Sequence, residues 1–408
     1  MALASRRNKS NGLEMESIGD AEIIVVGGGA VGCGAAYALA RAGKKEILVI
    51  ERAAELGQAT TSQGAGLCGQ LRDSVERVRL AMHSVSVFRE LQKDPEVKPD
   101  WQEAGSLRVA LSEKRAEEFR GLKMIADQAG LETRLIDTAE ASRLWPLMNF
   151  RRAKSALWCP SDGCMTPARV VQAYAHQCRK LGVRFATSAC VEAIHVSNGR
   201  VTGIKTNRGD AQCRWLVNSA GAHAYHVAQL AGLDLPIIPV RHEYFITAPM
   251  PGLSPTLPSF RVPEMTLYGR VRDNGLLLGG WEPRALSADP RGFPMRDTPP
   301  PIDPDWNVLN AFEESFAEIL PSSAGLKKQF LGKGWPTFTP DGRFIIGESS
   351  RVKGFVMAGG CNAHGISGSG GMGKLLVESL FDPNPGAYVK SLGPDRFTET
   401  KWTWREAR

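Results

Sequence analysis

The chain has 408 residues, 43% of them hydrophobic and 23% charged, with a formal net charge of +7. That length suits two closely joined domains, each with its own core. The strand-sized apolar runs Ala21–Val26 and Ile47–Ile50 fall far short of the roughly 20 residues of a membrane span, and the scattered basic residues lack the aromatic–basic module of a nucleic-acid binder.

The densest basic cluster, Arg6, Arg7 and Lys9, sits in a polar leader that reads as a solvated tail over residues 1–20. Met1–Asp20 lacks the apolar segment of a secretory signal, and Glu14, Glu16 and Asp20 speak against a transit peptide. The eight cysteines form no CxxC pair, so reduced thiols in a cytoplasmic protein are expected. A basic surface also suits a carboxylate substrate or an anionic cofactor.

Glu22–Val26 is a short β-branched run that reads as a buried parallel strand. It leads directly into Gly27-Gly28-Gly29-Ala30-Val31-Gly32, a GxGxxG turn on Gly27, Gly29 and Gly32. A helix over Cys33–Ala42 and a second strand, Ile47–Ile50, follow and end on Glu51. Gly27 permits the tight turn, Gly29 lets backbone approach a pyrophosphate, and Gly32 lets the helix lie close to the sheet. The helix N-terminus offers unpaired N–H groups and partial positive charge to phosphates. Glu51 stands where a carboxylate accepts hydrogen bonds from ribose hydroxyls, and it repels the 2′-phosphate of NADP. Strand, turn, helix, strand and acid in this order predict dinucleotide binding, with NAD and FAD both open at this point.

Three later segments carry more. The first is Glu51-Arg52 followed by Gly57–Gly66, rich in Ser, Thr and Gly. The second is Val183–Ile194, expected as a strand, then hairpins at Asn198-Gly199 and Arg208-Gly209 leading to Trp215–Ala220. The third is Thr339-Pro-Asp341-Gly through Gly347, then Phe355–Ala358 and a glycine loop over Gly359–Gly373 feeding an apolar helix, Lys374–Leu380. Together these resemble the D-amino-acid-oxidase-like superfamily of flavoproteins, particularly its sarcosine and dimethylglycine dehydrogenase branch, from about Ala21 to about Phe397.

The resemblance implies FAD on an α/β fold with α+β insertions: a Rossmann-like FAD-binding domain with a β-sheet-based substrate domain. The FAD-binding part would take residues 21–100, 155–235 and 331–390, the substrate part 101–154 and 236–330, with a tail over 391–408. Flavin contacts would come from Ala30, Val31, Arg52, Thr60, Thr61, Ser62, Gln63, Gly64, Ala65 and Gly66. Cys190 and Val191 would lie beside the adenine, Asn218 to Ala222 (with Ala220 and Gly221) near the FAD, and Asp341, Gly360, His364, Gly365 and Ile366 in a C-terminal flavin clamp. Read without the resemblance, the 57–66 segment is a flexible polar loop. Covalent members attach flavin through a histidine where this chain has Gln63, or through a cysteine near Gly334. Non-covalent FAD is therefore expected, with Cys68 and Cys361 as small buried thiols near the flavin.

On the substrate side, Pro239–Pro249 matches the branch's PxxHxYxxT pattern, whose tyrosine borders the active site. Alternation puts His242 and Tyr244 on one face of a strand and Glu243 on the other. Tyr244 and His242 are thus candidate substrate contacts, with packing as the plain alternative. Arg72 occupies a region where relatives present arginine to a carboxylate, which its bidentate fork suits; the alternative is a surface arginine beside a helix starting near Asp73. Lys333 resembles lysines that assist oxygen activation near flavin N5. No metal site is expected; His223 and His226 share a helix face and read as packing.

The implied reaction is hydride transfer from the C–H beside a substrate nitrogen to flavin N5, giving an imine that water hydrolyses. Primary-amine oxidation, 2-hydroxyacid or glycerol-phosphate oxidation, or a flavin-binding subunit working with a partner remain alternatives. The electrons would pass to oxygen or to an electron-transfer partner. Long members of the branch continue from a DRF-like point, here Asp395-Arg-Phe397, into a folate-binding domain. Its expected absence raises amines other than N-methyl ones.

Overall fold

The structure, a computed structural model, describes residues 17–398. Arg6, Arg7, Lys9, Glu14 and Glu16 lie outside the described residues, as does 399–408. The last part of the expected leader is packed: Ile18 is buried, and the Gln212 N–H donates to Asp20 Oδ1 at 2.8 Å. At the other end Leu392 and Phe397 are buried as well.

Six strands form the first sheet, in the order Ile345–Glu348, Phe355–Gly359, Trp215–Asn218, Ile23–Val26, Ile47–Ile50 and Arg184–Ala186. All pair in parallel except the edge strand Ile345–Glu348. Its central strands are continuous apolar runs because both faces are covered. Ile23, Val25, Ile47 and Val49 face the helices Ala30–Arg41, Pro167–Lys180 and Ser369–Phe381. Ile24, Val26, Leu48 and Ile50 face a three-stranded antiparallel sheet and the helix Ala224–Leu230.

Two expectations differ in detail. Val183–Ile194 is two strands, Arg184–Ala186 and Val191–Ser197, because Ser188 turns the chain at φ +52° and sends it to the other sheet. The C-terminal helix begins at Ser369 rather than Lys374, taking Gly370, Gly371 and Gly373 inside it. The reason is close packing: a Cβ on Gly373 would come within 2.7 Å of the Gly34 carbonyl oxygen. Here glycine serves helix contact, overriding its poor helix propensity.

The second sheet has eight strands, in the order Lys328–Gly334, His242–Thr247, Gly275–Gly280, Leu267–Arg272, Ser259–Val262, Ser106–Ala110, Ser155–Cys159 and Arg134–Ile136. One register row crosses it: Gly332, Tyr244, Gly279, Tyr268, Arg261, Arg108 and Leu157. Residues paired in register leave a sheet on the same face. The opposite face, with Phe245, Phe260 and Leu278, packs on the helix Trp306–Ile319. Glu243 is buried on that side in an ion-pair network, with Arg241 binding Glu282 at 2.5 Å, Asp305 at 2.8 Å and Glu243 at 3.5 Å.

Candidate active site

The glycine turn is built by exclusion. Gly27 has φ +108°, and a Cβ there would come within 2.5 Å of the Ser219 carbonyl oxygen. A Cβ on Gly32 would lie 1.8 Å from the Gly27 carbonyl oxygen, so only glycine lets this helix start so close to the strand. Gly29 occupies the N-cap position with no side chain to close it, and the next N–H, of Ala30, donates to Thr61 Oγ1 at 3.2 Å. Glu51 is clamped beside the turn by two N–H donors, Gly28 to Oε2 and Ala53 to Oε1, each at 2.8 Å.

A cavity of about 590 Å³ opens from this turn. Its wall includes Gly27, Gly29, Ala30, Val31, Glu51, Arg52, Thr60, Thr61, Gln63 to Gly66, Val191, Ala220, Gly221, Gly365 and Ile366, together with His242 and Lys333. A dinucleotide flavin fits this donor set. The helix N-terminus and glycine cradle suit a pyrophosphate, and the wall holds polar atoms that have no protein partner. Ser219 Oγ and both ring nitrogens of His223 are buried and unbonded, a costly state that a ligand relieves. Burial, with the Arg52 charge, pushes the His223 imidazole down to about 3, so it meets a ligand as a neutral ring. Gln63 and Gly334 meet here, since a Cβ on Gly334 would come within 2.4 Å of Gln63 Oε1.

Other expected residues stand outside the wall. Gly32 lies behind the turn, and Ser62 Oγ donates to the carbonyls of Gln58 and Ala59 at 3.0 and 2.9 Å. Asp341 pairs with Arg396 at 2.8 Å. Gly360, at φ +61°, backs onto Thr339. His364 Nδ1 lies 2.6 Å from the Asn362 carbonyl oxygen, and burial and Arg72 lower its pKa to about 3. Tyr244 donates its hydroxyl to the Gly64 carbonyl at 3.3 Å, under the 57–66 loop rather than into the cavity. Arg72 turns one N–H onto the Leu71 carbonyl at 2.7 Å. Lys333, although part of the wall, pairs in register with Glu243, so its side chain leaves the sheet on the face away from Tyr244.

The cavity also gathers residues that sequence reading passed over, Tyr268, Arg261, Trp281 and Trp335, together with Ser219 from the segment expected near the FAD and His223, which had read as packing. His242 Nε2 lies 2.7 Å from the Tyr268 hydroxyl, and its ring centre lies 4.4 Å from that of Trp281, tilted by 31°. Burial and the nearby Arg261 push His242 down to about 4, so it is neutral at neutral pH. Arg261 stands 5.8 Å over the Tyr268 ring. Alternation along Leu267–Arg272 puts Tyr268, Arg270 and Arg272 on one face; only the strand pairing brings that face to His242.

His223 and His226 lie 5.1 Å apart and pack on Phe293. Away from the cavity wall, Asp94, Glu96 and His176 approach one another, but Lys180 already binds Asp94 at 2.8 Å and holds its carboxyl well below the usual range.

The chain matches the family described as FAD dependent oxidoreductase (DAO) over residues 22–379. It is 30% identical over 377 residues to mitochondrial sarcosine dehydrogenase of Homo sapiens, covering 90% of this chain and 40% of that protein. With mitochondrial dimethylglycine dehydrogenase of Rattus norvegicus it shares 27% identity over 399 residues, covering 95% and 46%. The chain thus spans less than half the length of these curated relatives. Among solved structures, L-proline dehydrogenase from P. horikoshii has a similar fold, with TM-score 0.84 and 24% identity over 93% of this chain and 98% of that one.

Proposed function

The chain belongs to the DAO family of FAD-dependent oxidoreductases, and on that premise we propose that it oxidises the C–N bond of an amino-acid-like amine. A secondary or N-methylated amino acid is the preferred substrate, in keeping with the relatives named above. One observation carries the reading: the glycine turn and the row bearing Tyr268 and Arg261 share a single cavity wall.

FAD is the cofactor, and the turn at Gly27 and Gly29, the Ala30 N–H, Glu51, Ser219 and His223 are the groups that would hold it non-covalently. When bound, the flavin supplies a two-electron acceptor for the substrate C–H bond beside nitrogen. The chain's own residues bind and orient. Arg261 offers a fork to the substrate carboxylate, and Trp281, Tyr268 and Trp335 wall the site with aromatic surface that displaces water. The oxidation needs an uncharged amine. A guanidinium close by disfavours an ammonium, and neutral His242, bridged to Tyr268, is available to accept a hydrogen bond from the free amine. Electrons then leave to oxygen or to an electron-transfer partner.

The test is dye reduction by purified protein across a panel of N-methyl, cyclic and primary amino acids and 2-hydroxy acids. Turnover confined to amines supports the proposal, and turnover confined to hydroxy acids overturns it.

A further inference from the structure

Arginine is distributed oddly on the site face of the eight-stranded sheet. Arg261 and Arg108 are direct register partners on neighbouring strands, where like charges oppose stability. Arg72 joins them: Arg72 Nη1 and Arg108 Nη2 both donate to the Leu71 carbonyl oxygen, at 2.7 and 2.9 Å. Two guanidinium groups thus converge on one acceptor while a third, Arg261, stands in the cavity wall beside Tyr268. All three are partly buried.

Among the described residues no carboxylate lies in ion-pair range of any of them. The buried Asp162 acts on all three through space, yet its oxygens are taken by Ser106 Oγ at 2.5 Å and by the backbone N–H and side-chain amide of Gln70 at 2.8 and 3.0 Å. The neighbouring Arg270 is different, because its guanidinium is tied to the carbonyls of Ala65, Val271 and Met165. Arg272 is occupied by Asp273 and the Tyr244 hydroxyl. Burial and mutual repulsion lower Arg72 to about 10 and Arg108 to about 9, so both stay charged at neutral pH. Clustered, desolvated cations with no carboxylate in ion-pair range are costly, and a ligand of opposite charge lowers the cost.

We propose that Arg261 and the Arg108–Arg72 pair are two anion seats for one substrate, an amine carrying two carboxylates. This deepens the amine-oxidation reading and rests on it for the amine. The geometry selects two separated carboxylates over one compact dianion, because Arg261 sits by Tyr268 while the other two forks converge at Leu71. One carboxylate on Arg261 leaves the nitrogen near His242; the second reaches past the cavity wall to Arg108, the register partner of Arg261 on the next strand.

The test uses the FAD-loaded protein and ligands without an amine: glutarate, butyrate and inorganic phosphate, measured by calorimetry and by perturbation of flavin absorbance. Glutarate should bind at least about tenfold more tightly than butyrate and more tightly than phosphate. Arg108→Gln and Arg72→Gln should each weaken glutarate roughly 10- to 100-fold, the loss of a charged hydrogen bond, while changing butyrate less than about threefold. Their melting temperatures should hold or rise, since repulsion is relieved. Equal binding of glutarate and butyrate, or tighter binding of phosphate, overturns the proposal. So do variants that lower the melting temperature and weaken both carboxylates alike, which is what a structural role would give. The two readings separate cleanly. Preferred glutarate binding with no amine reducing the flavin keeps the seats and removes amine oxidation; reduction by simple amines without glutarate preference does the reverse.

Discussion

Substituting alanine at two glycines should move the protein in opposite directions. At Gly32 the new methyl would sit 1.8 Å from the Gly27 carbonyl oxygen, backbone that a rotamer change does not relieve. The helix must retreat by more than an ångström, pulling on the turn whose Gly27 N–H donates to the Ile50 carbonyl at 2.8 Å. Overpacking of this kind costs about 1–3 kcal/mol, and it falls on the cradle for the pyrophosphate. Gly121, by contrast, lies exposed in the helix Glu113–Ala129 with nothing within 4 Å of its Cβ position. Alanine there should stabilise by about 0.5–1 kcal/mol through helix propensity. For 408 residues, unfolding entropy near ~2.1 cal/mol/K per residue makes 1 kcal/mol worth about 1 °C in Tm. Melting curves and the flavin-to-protein ratio read both effects. Gly32→Ala should melt lower by about 1–3 °C and retain less flavin, while Gly121→Ala gains up to about 1 °C with full flavin. A Gly32→Ala protein with unchanged flavin content would refute the argument that this contact shapes the cradle.

Further outcomes follow from the same structure. Acid precipitation should leave the flavin in the supernatant, because Gln63 and Gly334 offer no covalent attachment; flavin in the pellet would contradict this. His223, His242 and His364 have pKa values depressed to about 3, 4 and 3. Their stabilising contribution is therefore complete above the unfolded value of about 6.5 and is lost as pH falls from there toward the folded values. Denaturant midpoints should decline over that range, and His223→Gln should make the decline shallower in the FAD-free protein. Arg241→Met leaves Glu243 and Glu282 buried without their cation, and should cost about 3–5 kcal/mol in urea unfolding; a loss below about 1 kcal/mol would show the network to be dispensable. Tyr268→Phe leaves His242 Nε2 without its partner, so the cost should appear in kcat/KM for amines with flavin content unchanged.

The dinucleotide turn was legible because its physics is local. Strand, glycine positions, helix and Glu51 lie within one short stretch; Gly32 is demanded by the Gly27 carbonyl five residues away and Gly27 by Ser219 at the end of the adjoining strand. The face shared by His242 and Tyr244 was legible from alternation alone. What alternation does not contain is strand pairing: Arg261, Arg108 and Tyr268 come from distant segments, and only register puts them in one row. Tyr244 shows the same limit from the other side, since the loop carrying Gly64 covers it. The glycines at 370, 371 and 373 read as loop because propensity is a weak prior, overridden here by contact of Gly370 and Gly371 with the helix Val75–Leu91 and of Gly373 with the helix Ala30–Arg41. Ser219 was legible only as part of a segment near the FAD and His223 only as packing; their missing partners become visible only once the cavity around them exists.

The most direct test of the account is the visible spectrum of the purified protein before and after anaerobic addition of secondary and N-methyl amino acids, dicarboxylic ones included. The account predicts flavin absorbance near ~450 nm that bleaches with at least one such amine, since the bound cofactor carries the chemistry. A flavin spectrum that no amine bleaches would contradict the proposed substrate class.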